Sequence, residues 1–207
     1  MRKIVLLLAL LVMMGGAVCR AEAKSLIIYF DYSENIETTN SDVDAISQAS
    51  IAEDERIRDR GNLLVMVDIL RERTGAEVYS LNILEKYRPR YDDMVEGAQD
   101  DKDNDAQFTF AQPLPDLTDV ERIYFGSPIW WYDMPQPVIN FFQRVDLSGK
   151  RIAYFSINRG SDNSGALELL ESLQPNAQVV GEYSLSAMQD NDSAAAEFNA
   201  FLDSIAR

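Results

Sequence analysis

Val120-Glu121-Arg122-Ile123-Tyr124-Phe125-Gly126-Ser127-Pro128-Ile129-Trp130-Trp131-Tyr132-Asp133-Met134-Pro135 reads as a β-strand over 120–125, a Gly-Ser-Pro exit, an aromatic loop and a helix starting near Pro135 and reaching Val145. This is one of several apolar strand-like runs that alternate with helical segments along the chain. The same logic extends outward. Toward the amino terminus, Ser25-Leu26-Ile27-Ile28-Tyr29-Phe30 has apolar residues on both faces, as a central parallel strand should, and Gly61 to Thr74 reads as a helix with Leu63, Val67 and Leu70 on one face and Gly75 as its carboxy-terminal cap. Ala76 to Leu81 is a further strand. Toward the carboxy terminus come a strand over Arg151 to Ile157, the loop Asn158 to Gly165, a helix through Leu173, a strand over Gln178 to Ser184 and a last helix over Ser193 to Ala206. Five strands alternating with helices imply an α/β fold, a three-layer sandwich around a parallel sheet.

Two stretches interrupt this plan. Residues 31–60 are mostly polar and far exceed the roughly 2–6 residues of an ordinary βα connection, and long loops of this kind are often functional. Residues 88–118 are acidic. Asp101, Asp103 and Asp105 have the spacing that opens a calcium loop, but Ala106 stands where glycine is needed and Gln112 where glutamate is needed. The reading is a solvated acidic loop without a metal.

Composition limits the chemistry. Among 207 residues there is no histidine and a single cysteine, Cys19, which excludes a Ser-His-Asp triad, a histidine base, histidine-ligated metals, multi-cysteine clusters and internal disulfides. No catalytic side chain is assigned, so redox or bond-making chemistry has to reside in something bound. Acidic residues outnumber basic ones 34 to 19, a formal charge of -15, which argues against nucleic acid or an anionic membrane as partner. The acid excess suits either simple solubility or docking to a basic redox partner protein.

The amino terminus reads as an export signal. Met1-Arg2-Lys3 is basic, Ile4 to Val18 is apolar, and Ala21-Glu22-Ala23 offers a small-x-small cleavage site. The apolar run of 15 residues is short of the roughly 18 a membrane span needs. Cleavage after Ala23 gives a periplasmic or extracellular protein of residues 24–207, with no stable membrane insertion. It removes Arg2, Lys3, Arg20, Glu22 and Cys19, so the charge becomes -17 and the chain keeps neither histidine nor cysteine.

In an open parallel sheet, ligands bind beyond the carboxyl ends of the strands. Three loops converge there: Asp31-Tyr32-Ser33-Glu34-Asn35, returning through Gly61-Asn62; the 126–135 aromatic stretch; and Asn158-Arg159-Gly160-Ser161-Asp162-Asn163-Ser164-Gly165. A glycine at a helix start, with backbone N–H groups and hydroxyls, can hold a phosphate without lysine or arginine. A planar phosphorylated cofactor suits a phosphate cradle, an aromatic wall and a Gly/Ser/Asn loop together. Trp130 and Trp131 could equally pack against the helix near Pro135, and Gly160 and Gly165 could be turn residues only.

With these residues in place, the 24–207 region resembles a flavodoxin, in particular a branch with Gly-x-Pro-Ile-Trp-Trp after the third strand and an extended phosphate loop. The likeness runs through Leu26–Phe30 with its Tyr-Ser-Glu-Asn loop, Thr74-Gly75-Ala76-Glu77-Val78, residues 126–135, and Asp146-Leu147-Ser148-Gly149-Lys150. It implies a five-stranded sheet in the order 2-1-3-4-5, non-covalent FMN at its carboxyl edge and electron transfer. The implied FMN contacts are Tyr32, Ser33, Ser50, Gly61, Asn62 and Leu63 around the phosphate, Pro128, Ile129, Trp130, Trp131 and Tyr132 along the ring, and Asn158, Arg159, Gly160, Ser161 and Asp162 at its pyrimidine edge. Gly61-Asn62-Leu63 aligns with the family's Gly-Asn-Thr, making residues 34–60 an insertion.

Three departures stand out. Leu63 replaces a threonine, Asp31 replaces a serine, and Asn158-Arg159-Gly160 replaces a Thr-His-Gly stretch. Asp31 is expected either to point away from a phosphate that would repel it or to weaken FMN binding. The insertion offers Thr38, Thr39, Ser47 and Ser50 as substitute hydroxyls, and Arg159 offers positive charge near the ring. Alternatives to an electron carrier are an NAD(P)H-dependent flavin or quinone oxidoreductase, and a non-catalytic binding protein on this fold that has lost FMN.

Overall fold

The computed structural model describes residues 24–37, 61–187 and 191–206. The expected signal segment over 1–23 and the hydroxyls of Thr38, Thr39, Ser47 and Ser50 lie outside the described residues. Ten elements follow in chain order: β1 Lys24–Tyr29, α1 Gly61–Thr74, β2 Glu77–Ser80, α2 Tyr91–Asp103, β3 Val120–Pro128, α3 Gln136–Arg144, β4 Arg151–Asn158, α4 Ala166–Leu173, β5 Gln178–Ser186 and α5 Asn191–Ile205. The strands form one parallel sheet in the order β2-β1-β3-β4-β5, the order the resemblance implies. Ile28 pairs with Phe125, and Phe125 with Tyr154, across its centre.

The uninterrupted apolar runs now have their explanation. Leu26, Ile28, Phe30, Ile123, Phe125, Ile152 and Tyr154 face one core, shared with residues of α2, α3 and α4. Ile27, Tyr29, Tyr124, Ala153 and Phe155 face a second, shared with α1 and α5. Alternate residues of a strand point to opposite faces, so a central strand covered on both sides has no polar positions to spare. Gly126 is required where β3 passes beneath Phe155, because a Cβ there would overlap that ring.

One element departs from the expected plan. The segment read as an acidic loop contains α2, whose sequence Tyr-Asp-Asp-Met-Val-Glu-Gly-Ala-Gln-Asp-Asp-Lys-Asp has few apolar residues and buries only Met94 and Ala98. Its acids are not all solvated. Asp101 accepts a hydrogen bond from the buried Tyr87 hydroxyl at 2.9 Å, and burial raises the Asp101 pKa. Asp105 Oδ1, just past the helix, accepts from Gln136 of α3 at 2.8 Å. β3 also runs on through Gly126-Ser127-Pro128, which extends the sheet toward the aromatic loop.

Candidate functional site

A cleft of about 330 Å³ opens beyond the carboxyl ends of β1, β3 and β4, with α2 as its outer wall. β1 contributes Tyr32 from its loop, β3 contributes Pro128 and the residues 129–132, and β4 contributes Ile157 and residues 158–161. Ten of the sixteen expected contacts thus meet in one place: Tyr32, Pro128, Ile129, Trp130, Trp131, Tyr132, Asn158, Arg159, Gly160 and Ser161. α2 adds Tyr91, Met94, Val95 and Ala98, which were not among the expected contacts. Their spacing was the available signal, since positions i, i+3, i+4 and i+7 form one stripe of a helix.

The three aromatic residues of the β3 loop have different jobs. Trp130 is half-buried and meets the rings of Phe30, Tyr32 and Tyr87 edge-on, with centroids 5.8, 6.0 and 5.0 Å away. It is part of the packing that closes the inner end of the cleft, within the same core that holds Val138, Phe141 and Phe142 of α3. Trp131 and Tyr132 are 41% and 70% exposed. They form the tip of a tight turn in which Trp130 and Asp133 exchange backbone hydrogen bonds of 2.9 and 3.0 Å. Both tip residues have positive φ, 49° and 63°, a conformation that suits Asn-Gly and strains larger L-residues.

That turn is held from both sides. The Trp131 indole N–H donates to the Val95 carbonyl at 2.8 Å, and Lys102 Nζ donates to the Trp131 carbonyl at 3.0 Å while lying 3.7 Å from Asp133. On the other side, Gly165 N–H donates to the Tyr132 carbonyl at 3.2 Å. The opposite lip is shaped by Asn158, whose Oδ1 accepts from Gly160 N–H at 2.6 Å and Ser161 N–H at 3.0 Å. Gly160 has a φ of +102°, which a side chain would strain. Among the residues lining the cleft, Arg159 is the charged one.

The remaining expected contacts are placed differently. Leu63 is wholly buried in the core beneath α1, so only its backbone could serve a ligand, and Asn62 is buried beside it at the start of that helix. Gly61 begins α1. Asp162 faces a separate acidic depression shared with Glu168, Glu182 and Ser184. Ser33 stays in the first loop, where both its N–H and its hydroxyl donate to Asp31 Oδ1, at 2.8 and 2.5 Å. Asp31 itself is wholly buried, and burial pushes its carboxyl up to about 6.

The ring end of this site fits a planar aromatic group. It is mostly apolar, walled by aromatic side chains and bounded by a loop whose glycine lets backbone approach closely, as ligand clefts are. In the first loop, where a phosphate was expected, Asp31 and Ser33 are closed on each other.

No curated protein matches the chain. Among solved structures, a candidate flavoprotein from Bacteroides uniformis superimposes with a TM-score of 0.63 at 17% identity, over 86% of this chain and 98% of its own. A candidate flavoprotein from Bacteroides eggerthii gives 0.63 at 16% identity, over 89% and 98%. A flavoprotein from Lactobacillus acidophilus in complex with FMN gives 0.55 at 13% identity, over 86% and 99%. These likenesses concern the fold. The flavodoxin family model, in turn, matches residues 86–200, more than half of the sequence, from the start of the α2 region through most of α5. Sheet order, the position of the cleft and this match agree, and the chain belongs to the flavodoxin family.

Proposed function

We propose that this protein is an exported electron carrier that binds FMN non-covalently in the cleft between α2 and the ends of β1, β3 and β4. The observation that carries the reading is the convergence of the Trp130–Tyr132 turn and the Asn158–Ser161 loop on one slot at the strand ends. The Lactobacillus acidophilus relative, which shares the fold, is described in complex with FMN.

Bound FMN supplies uptake and release of one or two electrons, chemistry that the side chains of residues 24–207 lack. The residues of this chain bind and orient the cofactor. Trp131 and Tyr132 cover the ring, and Arg159 brings positive charge to its edge. Trp130, packed on Phe30, Tyr32 and Tyr87, keeps the inner end apolar and dry. The excess of acidic residues favours a basic partner protein, because complementary charge speeds encounter.

Titrating the purified protein with FMN tests this reading. The expected result is saturable quenching of flavin fluorescence with near-stoichiometric binding, and no steady-state turnover with NADPH alone. A colourless protein that leaves flavin fluorescence unchanged would overturn it. Steady NADPH oxidation with a quinone would move the protein from carrier to reductase.

A further inference from the structure

The loop after β1 contains a carboxyl group that the flavin reading leaves without a role. Asp31 sits where β1 ends and is wholly buried. Its Oδ1 accepts both hydrogen bonds from Ser33, while its Oδ2 is buried with no hydrogen-bond partner among the described residues. The Ser33 N–H and hydroxyl, which could have served an anion, are therefore turned inward on this carboxyl.

Neighbouring groups fix this arrangement without neutralising it. Asn35 Nδ2 donates to the carbonyls of Asp31 and Leu81, and Asn35 Oδ1 accepts from Ile83 N–H and Lys86 Nζ. The Lys86 ammonium is spent on Asn35 and on the Glu34 carbonyl. Among the described residues, the ionisable groups acting on Asp31 are Glu34 in the same loop and Tyr29 on β1, whose hydroxyl donates to Glu34. The end of β3 over residues 125–128 and the first turn of α1 over residues 61–64 carry no ionisable side chain. No described residue sets a cation against this carboxylate; a buried carboxylate so placed is disfavoured, and a phosphate dianion nearby disfavours it further.

Building on the flavin reading, we propose that Asp31 couples the phosphate end of this cleft to a proton: the protein holds FMN with Asp31 as the neutral acid and loses affinity for it as Asp31 ionises. A flavin without a phosphate, riboflavin, is indifferent to Asp31. One proton from solvent goes onto the carboxyl as FMN binds above the acid range, and it returns to solvent on release. The raised pKa of Asp31 places this linkage near neutral pH rather than in strong acid.

The experiment is a fluorescence-quenching titration of the full chain and its Asp31→Asn variant with FMN and with riboflavin, at pH 5 and pH 8. Asparagine keeps an acceptor for Ser33 and removes the charge. The expected result at pH 8 is FMN affinity at least about tenfold higher in the variant, converging to within about threefold at pH 5, with riboflavin affinity unchanged throughout. The phosphate of FMN also titrates near pH 6, but equally with both proteins, so the ratio between them reports Asp31 alone. Equal FMN affinities at pH 8, or an equal gain for riboflavin, overturn the proposal while leaving the flavin reading intact. Failure of both proteins to bind either flavin overturns both. Should the asparagine variant not fold, Asp31→Ser, the residue usual in the resembling family, is read in the same way.

Discussion

Asp31 also marks the stability of the protein. Its folded-state pKa of about 6 lies above the ordinary 3.8 because burial penalises the charge more than Ser33 relieves it. The folded chain therefore holds this proton more tightly than the unfolded chain does. The stability linked to it is complete below about pH 4 and is lost as pH rises through 6, an effect of about 3 kcal/mol at most. Urea denaturation of the wild type and Asp31→Asn should show the variant gaining on the wild type by up to about that amount between pH 4 and pH 7. A constant gap would mean that Asp31 stays charged in both states. In the sequence Asp31 was visible only as an acid in a serine position. Its burial depends on Asn35 tying the loop to residues 81–86, across more than 45 positions of chain, a contact no local pattern reveals.

At the scale of elements, the strands were legible because burial on both faces leaves consecutive apolar residues, and each was expected within a few residues of where it lies. α2 was hidden by its own surface. Nine of its thirteen residues are polar or glycine, and its short inward stripe of Tyr91, Met94, Val95 and Ala98 is divided between the cleft and the first core. The turn it supports was hidden for another reason, since Trp131-Tyr132 is a poor sequence for two consecutive positive φ angles. Packing has overridden local preference there. Tyr132, 70% exposed, gains little in return, so Tyr132→Gly should raise stability by about 1 kcal/mol while weakening flavin binding, read by thermal unfolding and by titration. A loss of stability would show that the tyrosine side chain supports the turn.

Across the whole molecule, charge is the dominant feature. The full sequence carries -15, and α2, beside the cleft mouth, holds Asp92, Asp93, Glu96, Asp100, Asp101 and Asp103 against one lysine. If electrons leave through this cleft to a basic partner, the second-order rate measured by stopped flow should fall about tenfold or more between low salt and ~0.5 M salt, as steered encounters do. A flat salt profile would assign the acid excess to solubility. Beyond β1 the chain is pinned at Asn35, Ile36 and Glu37, the last through its N–H to the Tyr87 carbonyl at 2.8 Å, and it resumes as α1 at Gly61. Tyr32, which lines the cleft, is tied to the same stretch through its hydroxyl on the Arg88 carbonyl, so the exits of β1 and β2 act as one clamp, and a change that loosens residues 81–88 is felt inside the cleft.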